Sequence, residues 1–538
     1  MLDRLEATAA RGVTAPPERL DAALEGEPYP IDCLSPVLLR AVQTGHDSAV
    51  APWLELPDLP GNRTWAGTAG IRIHFTTEAA SPHRIPLGKG ETAGGPAPRY
   101  VERLGEALAA AVDLLDGLGF GVAERNPWID VYVADTGPGI SGYVVPAPLA
   151  PGSTEEHRGG SLVMSRALRD PGPAAAHQLA HLVLLGYSYR EPVWWHEATA
   201  AWVGLQAAGN PSADTQALLA RVARPEDGLD TDDLLRLRGN LLFPAFLALS
   251  DTSANVVRRI WGACATLSGP NVLDALDRVG RESGLGSAAD LLRAYHAAWI
   301  ADAAGRDRLL AELGLFLPFP GLGAELAAYP ASGVTAHGPV RPLGATFLHL
   351  RSGLGPGGLA VSVRGNPDAA FDALLLVRRA PGARMVPVPV PIDEENRARI
   401  RYPWGEVGDA VLMLVGLPGE ADLVASYTVR YRPDIPFDLM EFTAEPTEEG
   451  VRLLWSTDAE VDLFGWNVYR ATAPASGFRR INGVPIPAGG GDAAPASYSF
   501  LDGSPGAAKV YYRLEAVTLD GFTQTSHQVG ARPVPRGR

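Results

Sequence analysis

His177, His181 and Glu197 have the residue types and the spacing to hold a metal ion. Histidines at i and i+4 stand one above the other on a helix, so their imidazoles project toward one point. Glu197, early in a second helix, can add a carboxylate and complete a three-donor set of the kind zinc accepts. Three protein ligands leave the fourth position of a tetrahedral ion to water, the arrangement of a catalytic site. A carboxylate directly after the first histidine would take the proton of that water. Gln178 stands there instead, and an amide cannot accept the proton. The pattern points to a metal site without its general base.

The residues around this trio carry further chemistry. Glu191 and His196 flank Glu197 and are the candidates for a replacement base, although neither has the register of the missing carboxylate. His196 could also supplement Glu197 as a ligand; a hydrogen-bonded histidine is the commoner role. Trp194, Trp195 and Trp202 either line a cleft or pack the second helix under a sheet, and packing is the commoner job. Tyr187, Tyr189 and Arg238 are candidates for stabilising charge in a transition state. No G-x-S-x-G elbow is present, and Gly88-Lys89-Gly90 and Gly94-Gly95 read as turns rather than a phosphate loop.

These side chains need a helix pair behind them and a sheet beside them. Gly70–Phe75, Trp128–Val133 and Ser161–Met164 alternate or run apolar as strands do, and Arg99–Leu118 carries an apolar stripe at helical spacing. Asp170 is placed to cap the His177 helix with Pro171 at its first position, and Gly186 to end it. Helical spacing then recurs over Leu241–Leu249, Ala254–Ala265, Val272–Glu282 and Ala288–Ala304. Residues 1–60 are Pro-rich, with candidate helices at 16–25 and 34–43, and form either a pro-region or a packing arm. From 325 to 432 short β runs separated by Gly, Pro and Asp turns indicate a β-sandwich. After the Arg432–Pro436 linker, residues 437–535 carry an early Trp455 and a Tyr512-x-Leu514-x-Ala516 strand, which resemble a fibronectin type III domain with Tyr512 as its corner tyrosine. The expected fold is multi-domain: an α+β zincin-like domain at 61–312 followed by two all-β sandwich domains.

The His177–Trp202 segment, Gly70–Phe75, Ile129–Tyr132 and both β regions together resemble the gluzincin type of zinc metallopeptidase. The closer likeness is to secreted bacterial metalloendopeptidases that join a zincin domain to C-terminal β-sandwiches. That resemblance implies one zinc ion on His177, His181 and Glu197, and an extracellular or cell-surface location. It fails at Gln178, where the H-E-x-x-H pattern has its glutamate. A positioned general base contributes about 10²–10⁴-fold, so efficient proteolysis is not expected.

The expected function is therefore a zinc-binding, degenerate peptidase that holds a peptide or protein ligand in its old cleft, with Ser161–Met164 as the edge strand. On that view Gln178→Glu restores cleavage. An active metallopeptidase using another base, and a metal-free adhesion protein acting through its sandwiches, are the rivals. A net charge of −15 excludes broad nucleic-acid binding. No stretch approaches the ~18 apolar residues of a membrane span. The first residues lack the apolar core of a signal peptide, which leaves a cytoplasmic chain or a leader upstream. The two cysteines, Cys33 and Cys264, form one bridge or remain two buried thiols.

Overall fold

The computed structural model describes residues 32–122, 128–137, 139–148, 157–209, 214–250, 255–300, 323–334, 339–351, 358–378, 383–403, 407, 409–432, 437–460, 463–490, 495–519 and 523–534. The candidate helix at 16–25, the end of the 288–304 helix and the 433–436 linker lie outside these residues.

Among the described residues, α1 (Ser35–Thr44) and α2 (Asp47–Leu54) precede the first sheet. Its strands are β1 (Arg63–Ala66), β2 (Ile71–Phe75), β3 (Ile129–Ala134), β4 (Gly142–Pro146) and β5 (Gly160–Ser165), and α3 (Arg99–Gly117) connects β2 to β3. The spatial order is β1-β2-β3-β5-β4. β2, β3 and β5 run parallel, while β1 and β4 are antiparallel to their neighbours. Ser161–Met164 is thus an interior strand, because β4 pairs along its outer side. The expectation of an open edge there is corrected: the edge strand is β4.

The helical region follows as α4 (Gly172–Leu185), α5 (Val193–Ala208), α6 (Thr215–Ala223), α7 (Leu234–Gly239), α8 (Leu242–Ser250), α9 (Val256–Cys264), α10 (Val272–Glu282) and α11 (Ala288–Ala298). α4 is buried without interruption from Ala175 to Leu185 and α5 from Val193 to Leu205, as expected of helices apolar all round. The expected cap is shifted by one residue: Pro171 is the N-cap of α4, without a side-chain cap, and Asp170 just before it accepts from the Gly172 amide at 3.1 Å. Gly186 keeps a right-handed φ of −71°. The chain leaves α4 through ordinary turns, Tyr187 and Ser188 both donating to the Leu184 carbonyl.

One face of the sheet joins the main core. Ile71, Ile73, Phe75, Val131, Leu162 and Met164 pack there with Leu104 and Leu108 of α3 and Leu179 and Leu182 of α4. Each such buried aliphatic or aromatic side chain stabilises the fold by about 1.5–3 kcal/mol. The other face, through Tyr143, Val145 and Val163, packs on Leu34, Leu38, Val50 and Trp53. The described part of the N-terminal segment therefore covers the β4 end of the sheet.

From residue 323 onward the described residues form strands and turns without a helix. β6 (Ala324–Leu326), β8 (Ala345–Leu350), β10 (Phe371–Arg378), β11 (Val386–Pro389) and β13 (Asp409–Gly416) form a sheet ordered β11-β10-β13-β8-β6. β7 (Ala331–Val334), β9 (Gly358–Gly365), β12 (Arg397–Pro403) and β14 (Ala425–Arg432) form a second, ordered β12-β9-β14-β7. Leu348, Leu375 and Leu412 of the first and Val361, Val363 and Val429 of the second share one core. The opposite side chains of the first sheet, Phe347, Leu376 and Met413, join the helical core. That double burial explains why these strands read as continuous apolar runs.

The last unit pairs β15 (Phe437–Thr447), β16 (Gly450–Glu460) and β20 (Ala496–Asp502) in one sheet. Its other sheet holds β17 (Leu463–Ala471), β18 (Arg479–Arg480), β19 (Ile486–Pro487), β21 (Val510–Thr518) and β22 (Thr523–Ala531). Trp455, Trp466 and Tyr512 are buried together, and the Tyr512 hydroxyl donates to Asp502 at 2.8 Å. Helices and several sheets thus coexist in a multi-domain α+β chain. No helix among the described residues is long and apolar enough to cross a membrane.

Gly142 tests how closely the first sheet and α4 must approach. A β-carbon there would lie 2.8 Å from the Val163 carbonyl oxygen and 3.1 Å from Gln178 Cγ. Gly142→Ala is expected to destabilise the chain by about 1–3 kcal/mol, read as a lower midpoint of urea unfolding. Gly117→Ala, where nothing lies within 4 Å, should leave the midpoint unchanged or higher.

Candidate metal centre

α4 brings His177 and His181 together with ring centroids 4.8 Å apart, and α5 delivers Glu197 to both. Glu197 Oε2 lies 3.0 Å from His181 Nε2 and 3.5 Å from His177 Nε2, and the two Nε2 atoms are 3.1 Å apart. The helices can meet this closely because Gly204 of α5 faces His177: an added β-carbon would be 3.2 Å from His177 Cβ. All three residues are buried.

A fourth donor completes the group. Cys33 Sγ lies 3.6 Å from His181 Nε2, and the donor atoms of Cys33, His177, His181 and Glu197 all fall within 4.8 Å of one another. Sequence reasoning missed Cys33, which precedes His181 by 148 residues. No motif spacing could have tied them, and only the fold does. Cys33 pairs with Gly142 at the outer side of β4, where Ser141 donates to the Asp32 carbonyl at 2.8 Å and Leu34 to Gly142 at 3.4 Å. Cys33, in its bridge with Gly142, turns toward α4, where its Sγ meets Gln178 and His181. Leu34, already helical at the N-cap of α1 (φ −92°, ψ −12°), enters the core on the other face of the sheet. Both cysteines are free thiols, which settles the pairing left open by composition.

The donor set fits a metal ion by a simple test. Four ligands at the ~2.0–2.3 Å typical of zinc stand about 3.3–3.6 Å apart at tetrahedral angles. Four of the six separations, 3.0, 3.1, 3.5 and 3.6 Å, lie close to that range, and all six are within 4.8 Å. This buried Cys/His/His/Glu group can hold a metal ion.

The electrostatics of the four groups are mutual. Burial opposes charge on the Cys33 thiol, but His177 and His181 together outweigh it and bring the pKa to about 6. Burial likewise opposes the His177 cation, and Glu197 and Cys33 reverse this, raising it to about 10. His181 is also raised, against burial, by Cys33 and Glu197. Glu197 is held well below the usual carboxylate range, since the attraction of His177 and His181 exceeds the cost of burial. A metal ion would take the place of the imidazole protons in balancing thiolate and carboxylate.

Gln178 lies between the donors and β4. Its Nε2 donates to Cys33 Sγ and to the Gly142 carbonyl, both at 3.1 Å, and its Oε1 accepts from Ser35 Oγ at 3.0 Å. Ser35 Oγ in turn accepts from the Val144 amide at 3.0 Å. Arg238 fastens the same segment from outside, pairing with Asp214 at 2.6 Å and Asp32 at 3.1 Å.

The other candidates have different work. Glu191 Oε2 accepts from the Asn271 and Val272 amides at 3.1 and 2.8 Å, capping α10. Burial lifts its pKa to about 7. His196 Nε2 meets the Ser188 carbonyl at 3.0 Å and its ring packs on Trp261; burial lowers its pKa to about 3. Neither belongs to the donor group, and neither is placed as a base for it. Tyr187 donates to the Phe120 carbonyl at 2.9 Å, and Trp194, Trp195 and Trp202 are packed in the core. Their packing role is the one realised. Tyr189 lies against Arg158 and Arg190, and its carbonyl accepts from Gln43.

No known family model matches the chain, and no curated protein does. Among solved structures, a β-1,2-glucanase from Parabacteroides distasonis aligns over 38% of this chain and 30% of its own, at 13% identity and a TM-score of 0.14. A Bacteroides uniformis β-glucuronidase aligns over 36% and 28%, at 12% identity and a TM-score of 0.15. This chain thus spans less than a third of either structure's length, and likenesses this slight carry no argument.

Glu191 offers a check on these assignments. Glu191→Ala strands two buried amides and should cost about 1–3 kcal/mol of stability by denaturant titration. Metal content per folded chain should not change; a matching loss of metal would return Glu191 to the site.

Proposed function

We propose that this chain is a zinc-binding, peptidase-like protein that does not cleave peptides, with zinc held by Cys33, His177, His181 and Glu197. The observation that carries this is the fourth donor: Cys33 stands where a hydrolytic site keeps its water, and Gln178 spends its amide holding Cys33 there. Zinc suits a thiolate–imidazole–carboxylate set, whereas calcium and magnesium take oxygen ligands. Bound zinc would supply a tetrahedral tie between three parts of the chain, and Lewis acidity only where a position opened.

Each residue has a defined part. α4 fixes both imidazoles, Glu197 balances charge, and Cys33 excludes water from the remaining position. Gln178 offers no proton acceptor. Hydrolysis then lacks both its nucleophile and its base. Gln178→Glu by itself leaves Cys33 in place, so it is not expected to produce a peptidase.

The gluzincin-like reading of 61–312 draws support from the mixed sheet with an antiparallel edge strand beside the histidine helix. The two paired-sheet units fit β-sandwiches. The last fits a fibronectin type III arrangement, with Trp455 and Trp466 in the core and Tyr512 hydrogen-bonded to Asp502. A peptide or protein partner adding to β4 would meet residues 32–34 at its Gly142 end. An extracellular setting remains what the family likeness suggests.

Elemental mass spectrometry of the purified chain tests the proposal. Near one zinc per chain is expected, lost in His177→Ala, with no chelator-sensitive cleavage of a peptide library by either form. Zinc absent from both would overturn the proposal and move attention to the β units. Robust chelator-sensitive cleavage by the native chain would overturn its silent character.

A further inference from the structure

We propose that Gln178 is a positioning residue whose amide selects Cys33 as the fourth ligand and so closes the site to ligands from solution. The ligand role of Cys33 rests on the zinc reading above; the clamp itself stands on the hydrogen bonds alone.

Gln178 Nε2 carries two hydrogens, and both are used, on Cys33 Sγ and the Gly142 carbonyl. Neither partner could accept from a carboxylate, which has no hydrogen to give. A glutamate in this rotamer would set an oxygen against a carbonyl oxygen and a sulfur about as close as the amide nitrogen now stands. The Oε1 side is equally specific, because Ser35 Oγ receives the Val144 amide and passes its own hydrogen to Gln178. One side chain thus joins β4, the Cys33 segment and α1, and Gln178 is completely buried. The choice at 178 and the choice at the fourth position are coupled. An amide goes with a protein thiol, and a carboxylate goes with an open, water-bearing site. Gln178 is then a residue fitted to Cys33 rather than a base that has been lost.

Two readouts on the full chain test this. In metal-free protein, iodoacetamide should label Cys33 slowly, and Ser35→Ala and Gln178→Glu should each raise the rate at least about tenfold, as expected when a buried hydrogen-bonded clamp opens. The buried thiol of Cys264 is the internal control and should not change. In cobalt-loaded protein, the native chain should show a thiolate-to-cobalt absorption band that acetohydroxamate does not alter. Cys33→Ala should lose the band and respond to acetohydroxamate. Gln178→Glu should weaken cobalt binding about 10–100-fold when Cys33 is present, but within about twofold in the Cys33→Ala background. Equal losses in both backgrounds, or labelling of Cys33 indifferent to Ser35→Ala, would overturn the proposal. Cobalt bound without the thiolate band would sink it while leaving the metal site intact. No cobalt in any variant would sink the zinc reading along with it.

Discussion

The short pairing of residues 32–34 with the outer side of β4 is the contact on which the site depends. It does three things at once. It meets the antiparallel edge strand of the first sheet at Gly142, it places Cys33 over the histidine pair, and it brings Leu34 into the core on the opposite face. An exposed strand edge invites another chain to pair with it. Here the protein's own N-terminal segment meets that edge, fastened further by Arg238 to Asp32 and by Gln43 to the Tyr189 and Glu191 carbonyls.

Four ionisable groups in one dry pocket need each other. Burying a single charge costs several kcal/mol even after relaxation, and removing one partner of a buried set leaves the others uncompensated. Two imidazoles hold Glu197 and Cys33 below their usual ranges, and the two acidic groups in turn raise the imidazoles. A divalent ion offers the same compensation with a fixed geometry. Rigid backing makes that geometry available, since α4 and α5 are buried along nearly their whole lengths and cannot splay apart without opening the core.

Much of this was legible in the sequence, and the reason is periodicity. The i, i+4 histidines, the apolar run of α4 and the alternation in β2 and β3 are local signals that tertiary structure did not override. Glu197 was legible because a distinctive Trp-rich segment surrounds it. Three things were not. Cys33 is brought in from far away by strand pairing, which leaves no spacing to read. β5 looked like a free edge because an apolar strand bound on both sides reads much like one paired on a single side. Gln178 looked like a deletion of function because its partners, Ser35 and Gly142, are also remote. Its own identity only becomes informative beside the thiol it holds.

Zinc K-edge X-ray absorption on the purified, zinc-loaded chain addresses the central claim most directly, because it counts the sulfur neighbours of the ion. The account predicts one sulfur at about 2.3 Å and three nitrogen or oxygen neighbours at about 2.0–2.1 Å, with the sulfur shell gone in Cys33→Ala. A first shell made only of nitrogen and oxygen in the native chain would contradict it, since the fourth position would then belong to water and the site would be open.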